Sequence, residues 1–85
     1  MKKPSYLDII GAVTEERDYQ DNKWGTLEEH PHSIPEWIII IEEKMAEAKK
    51  SWLKCNNKEA LKEMLQVVAV GVACIEQHGI VKRGE

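Results

Sequence analysis

The sequence predicts an all-α protein: an antiparallel helical hairpin preceded by an amino-terminal helix, assembled with further copies into an oligomeric helical bundle. Three observations predict it. Two serines stand three residues ahead of an acidic residue at the head of an apolar-periodic stretch, "SYLD" at Ser5–Asp8 and "SIPE" at Ser33–Glu36. That is capping-box spacing, in which hydroxyl and carboxylate each satisfy a backbone N–H left over at a helix start. The short segment "CNN" at Cys55–Asn57 joins the two longest such stretches, and so short a connection forces its neighbours antiparallel. Finally, "MLQVVAVGVACI" from Met64 to Ile75 carries a single polar side chain, Gln66. A helix that is apolar all round is buried all round.

Taken in order, the first helix is expected over residues 6–20, "YLDIIGAVTEERDYQ", with Leu7, Ile10 and Val13 on one buried stripe. "DNKWG" should end it, since Asp21, Asn22 and Gly25 all favour turns. The following "TLEEHPHS" is a loop, because Pro31 excludes a helical continuation. Ser33 caps a second helix over 34–54, with Pro35 in its first turn, where a missing N–H costs nothing. Asn57 is the expected cap of a third helix over 58–78, and Gly79 sits where a left-handed carboxy-terminal cap belongs.

Composition bounds the function. Eighty-five residues, 42% apolar and 32% charged, make one small globular domain over 1–85. A net charge of −3 gives no broad attraction to anionic surfaces, so neither a nucleic-acid polymer nor a membrane is an expected partner. The longest strictly apolar run, Trp37–Ile41, is far short of a membrane span. The opening "MKKPSYLD" has no apolar stretch behind its lysines, so no signal peptide is expected. Cys55 and Cys74 lack metal-ligand or redox-pair spacing and read as reduced thiols of a cytoplasmic protein. Three helices of this size leave a flank of the third one bare, which predicts a homodimer or homotetramer. Ala69, Gly71 and Ala73 would let another helix approach closely.

The chemistry-bearing residues lie on the hairpin. Glu43 and Glu47 are four apart and share a face, as do Glu63 and Gln66, three apart. Folding the hairpin about residue 56 sets position 47 opposite position 65, so the two pairs meet across the helix interface. Oxygens converging from facing helices are how a bundle holds a hard cation such as Mg²⁺.

These carboxylates, with "ERDYQDNKWG" at Glu16–Gly25 and "EMLQVVAVGVACIE" at Glu63–Glu76, resemble the MazG-like all-α nucleotide pyrophosphohydrolase superfamily. The similarity is to its short single-domain members and covers roughly residues 13–77. The family pattern is EExxE on one helix and ExxD on the next, with Mg²⁺ held by carboxylates of both. The resemblance implies hydrolysis of nucleoside triphosphates to monophosphate and pyrophosphate by a dimer or tetramer. Carried over, Glu43, Glu47, Glu63 and Gln66 are the implied metal ligands, and Glu42 or Glu43 the base that activates water. The sequence departs from the pattern in two places. Lys44 occupies the second glutamate position and Gln66 the closing aspartate, while the register that matches Glu42 and Glu43 to the adjacent pair brings Glu47 one residue late.

Lys44 can be read three ways: it displaces a metal, it binds phosphate directly, or it snorkels outward. Trp24 with Arg17, Tyr19 and Lys23 is a candidate nucleotide end, since an indole stacks on a base and cations steady phosphates. The competing reading has Trp24 anchoring the loop to the core. His30 and His32 lie in the loop, either exposed or at a pocket mouth. Trp37 and Trp52 read as core or interface anchors. A non-catalytic nucleotide-binding or protein-interaction module with a degenerate metal site is the alternative to the enzyme.

Overall fold

The computed structural model describes residues 2–85. They form three helices, α1 over Tyr6–Trp24, α2 over Ile34–Leu53 and α3 over Asn57–His78, and no strand. α2 and α3 make the antiparallel hairpin, and α3 also packs against α1, whereas α1 and α2 share no helix–helix interface of their own. α3 is therefore the central element, with α1 on one side and α2 on another.

Both capping boxes form. Ser5 Oγ accepts from the Asp8 N–H while Asp8 returns a bond to the Ser5 N–H, each 3.1 Å long. Ser33 and Glu36 do the same at 3.3 and 2.7 Å. Held by these donors, the Asp8 and Glu36 carboxyls sit below their ordinary pKa values, chiefly through the backbone N–H and then the serine side chain.

Two boundaries differ from expectation. α1 continues past Gln20 to Trp24. Asp21 stays helical because its carboxylate meets Arg17 one turn earlier at 3.0 Å, and the turn preference of "DN" yields to that ion pair. The stop comes at Gly25, whose φ of +92° is open to glycine and whose N–H donates to the Asp21 carbonyl at 2.9 Å. At the hairpin turn, the cap of α3 is Asn56 rather than Asn57: its Oδ1 accepts from the Glu59 N–H at 3.1 Å. Cys55 takes a φ of +61°, which completes the chain reversal one residue early and leaves Asn56 facing the helix start. Gly79 ends α3 with a positive φ of +98° but a ψ of 174°, an extended glycine conformation instead of the expected left-handed helical one.

The core is small: Trp37, Val70 and Ala73, with Leu27, Ile40, Ile41 and Cys74 packed against it. The predicted stripe on α1 is not buried. Leu7 is 78% exposed and Ile10 48%, with Val13 only half-covered, and the buried residues of α1 are Arg17 and Gln20. Only the second half of that helix reaches α3, so its first turns project past the hairpin. Cys55 and Cys74 are free thiols, Cys55 exposed and Cys74 half-buried. No helix among the described residues is long and apolar enough to cross a membrane.

Candidate functional site

A pocket of about 370 Å³ lies where the end of α1, the α1–α2 loop and the first half of α2 meet over α3. Helical spacing builds two of its walls. Arg17, Gln20, Asp21 and Trp24 recur at three- and four-residue steps and so line up along one face of α1. Trp37, Ile40 and Lys44 do the same on α2, while Val70 and Ala73 form the floor and Gly25, Leu27, His30 and His32 come from the loop. The chemistry is mixed: two indoles, two imidazoles, aliphatic carbon and an ammonium. An apolar, aromatic lining with a few placed polar groups is the usual make-up of a small-molecule pocket.

Arg17 does not offer a free guanidinium to this space. Its Nε and Nη2 both donate to Glu76 Oε2 at 3.2 and 2.8 Å, Nη2 also reaches Asp21, and Nη1 donates to Gln20. Burial opposes the charge, but the hydrogen bonds that Arg17 donates to Glu76 and Asp21, with the charges of those carboxylates, outweigh it and raise the pKa above the ordinary value. Gln20 donates in turn to Glu16 and to the Gln66 carbonyl. Arg17 thus welds α1 to α3 and fixes the helix turn that carries Trp24.

The loop is pinned by a residue that sequence reasoning missed, Gln77. Its side-chain oxygen accepts from the Trp37 indole N–H and the His32 backbone N–H, both at 3.1 Å, and its amide donates to the His32 carbonyl. The His32 ring meets Trp37 edge-on at 4.8 Å. The signal was faint: Gln77 is a lone polar residue seven positions beyond Val70 on the stripe of α3 that faces α2.

Of the expected ligand-binding residues, Trp24 and Lys44 come together, with Lys44 Nζ 5.2 Å from the indole centre. Lys23 stands 5.0 Å from the same ring and 5.7 Å from that of Tyr19, while Tyr19 itself is exposed and away from the pocket lining. Lys44 is half-buried and faces inward, so it is neither fully snorkelling nor outside the site.

The carboxylates are more dispersed. Glu43 and Glu47 are exposed on α2, and Glu47 follows Lys44 by three residues, on the flank of the pocket. Glu63 meets Ser51 instead of Glu47: Ser51 Oγ donates to Glu63 Oε1 at 3.0 Å, and Oε2 is buried without a partner. Gln66 is half-buried beside α1. Glu42 lies on the far flank of the hairpin, lining an open groove with Ile41, Met45, Trp52 and Met64. Among the described residues, no three His, Cys, Asp or Glu side chains gather into a ready metal site. The orphaned Glu63 oxygen is the one carboxylate atom here whose environment calls for a cation or a donor.

Comparison of the chain with protein-family models, with curated proteins and with solved structures gives no match.

Proposed function

We propose that the chain is a MazG-like nucleotide pyrophosphohydrolase whose nucleotide sits in the pocket of Trp24, Trp37 and Lys44. The observation that carries this reading is the meeting of an indole from α1 and an ammonium from α2 in one aromatic-walled pocket beside the carboxylate-bearing hairpin. The indoles offer faces for a nucleobase. Glu63, with its unpartnered buried oxygen, and Glu47 on the neighbouring helix would hold Mg²⁺. When bound, that ion supplies charge neutralisation of the polyphosphate and an activated water. Glu43 is the better base of the two candidates, because Glu42 faces the opposite flank. Attack at the α-phosphorus releases nucleoside monophosphate and pyrophosphate.

The assay is pyrophosphate release from a panel of ribo- and deoxyribonucleoside triphosphates with Mg²⁺. Turnover that is lost in Glu63→Gln, with helicity retained, supports the enzyme. No turnover of any member sinks the catalytic reading. A second reading, a nucleotide-binding module without hydrolysis, is favoured by the exposure of Glu43 and Glu47 and by Lys44 at a position where the resemblance calls for a ligand. It expects binding without turnover, and binding indifferent to Glu63→Gln.

The proposal includes a second copy of the chain over the open groove of Ile41, Met45, Trp52 and Met64. The rim charges favour a two-fold arrangement. Glu42 and Lys49 both line the groove, seven residues apart on α2. Antiparallel packing of α2 on its counterpart, centred between Met45 and Ala46, sets Glu42 of each copy against Lys49 of the other.

A further inference from the structure

Two ammonium groups share one indole, Trp24; Lys44 lines the pocket with it, and Lys23 stands outside the lining. Lys23 Nζ lies 5.0 Å and Lys44 Nζ 5.2 Å from the centre of the Trp24 ring, one contributed by the last turn of α1 and the other by the middle of α2. Since these helices share no interface of their own, this cluster is where the end of α1 is brought beside α2.

Neither ammonium has a carboxylate within ion-pair distance among the described residues, although the chain holds more acidic than basic side chains. Asp21, the carboxylate in the pocket wall, is turned to Arg17. The ring attracts both cations but neutralises neither. An anion beside these ammoniums would supply the neutralisation that the ring does not. The adjoining space, walled by Trp24 and Trp37, accepts a planar ring by stacking. Unpaired cations next to an aromatic slot specify one ligand chemistry: a flat heterocycle carrying a phosphate.

We propose that Lys23 and Lys44 form a lysine-built phosphate subsite, so that a nucleoside monophosphate binds this pocket with no divalent cation present. The proposal rests on the nucleotide reading above and departs from what the family resemblance implies, where carboxylate-held Mg²⁺ carries the phosphates. Lys44 supplies in place the positive charge that a metal would otherwise bring. Lys23, at the exposed end of α1, closes over the phosphate from the solvent side. Because the interaction is between charges near the surface, it weakens as salt rises.

The test is calorimetric titration of the purified protein with the common ribo- and deoxyribonucleoside mono- and triphosphates and with the matching nucleosides, in EDTA and again in Mg²⁺. At least one monophosphate is expected to bind in EDTA about tenfold more tightly than its nucleoside. Lys44→Ala and Lys23→Ala should each remove most of the preference for monophosphate over nucleoside with helicity retained, and Lys44→Arg should keep part of it. Monophosphate binding that appears only with Mg²⁺, or a preference over nucleoside that survives both alanine variants, overturns the lysine subsite and leaves the nucleotide reading standing. If no nucleoside, mono- or triphosphate binds under either condition, both fall together.

Discussion

The two flanks of the α2–α3 hairpin are built from similar material and end in opposite states. On one, Trp37, Val70 and Ala73 lie under the end of α1 and its loop, and polar and charged groups gather there: Arg17 and two histidines from the roof, Lys44 and Gln77 from the hairpin. On the other, Ile41, Met45, Trp52 and Met64 have no roof, and Trp52 is 57% exposed where Trp37 is 6%. The covered flank needs polar groups because a ligand-sized space remains inside it. The bare flank is apolar along its floor, with Glu42 and Lys49 on its lining. The difference teaches that α1 and its loop cover only one of the two flanks.

The largest effect is expected from unroofing the covered flank. Trp37→Ala should destabilise the fold by about 3–5 kcal/mol, since it removes the largest core side chain and one of the two donors to the Gln77 oxygen. Denaturant unfolding measures it, and a change below about 1 kcal/mol would mean that the bare flank supplies most of the stability. Breaking the bare flank should have the reverse signature. Met45→Glu is expected to shift the protein to monomer in sedimentation while the pocket still binds ligand. A wild-type chain that is monomeric at micromolar concentration defeats the second-copy proposal outright.

Gly25→Ala sharpens the covered side. An added Cβ would run into the His30 ring, and the positive φ already disfavours a side chain. A loss of about 1–2 kcal/mol is expected, with ligand binding weakened more than in a surface control. Removing the cap hydroxyl by Ser33→Ala should cost about 1 kcal/mol and fray the start of α2 without altering either flank's chemistry.

The smallest effect is acid dependence. Asp8 and Glu36 have lowered pKa values in the folded state. Their contribution is therefore complete above the unfolded pKa, near pH 4, and is lost as pH falls through the folded value. Glu36→Gln should flatten the acid limb of a stability–pH curve below about pH 4, by slightly lowering stability at neutral pH while leaving the acid end unchanged. An unaltered acid limb in that variant would refute the assignment.

Local signals were the legible part. Ser5 with Asp8, Ser33 with Glu36, and Gly25 and Gly79 all act within one helical turn, so the sequence alone locates three helices to within a few residues. Leu7 and Ile10 misled because amphipathic spacing names a face without saying whether a neighbour reaches it. Asp21 misled because turn preference is a small bias that an ion pair with Arg17 overrides. Glu47 was matched to Glu63 by counting back from the turn, but Ser51 takes that place. A shift of one helical turn lies within the uncertainty of such counting.

By itself, then, the sequence determined what depends on neighbours along the chain: all-helical structure, the order of the helices and their ends to within a few residues. Only the tertiary structure decided what depends on residues far apart in sequence. It joined Arg17 to Glu76 across 59 positions and Gln77 to Trp37 across 40, and it set Lys44 over Trp24. Capping and periodicity are properties of a few consecutive residues. A pocket is a property of how separate helices meet, and the angle and depth of that meeting are written in no single segment.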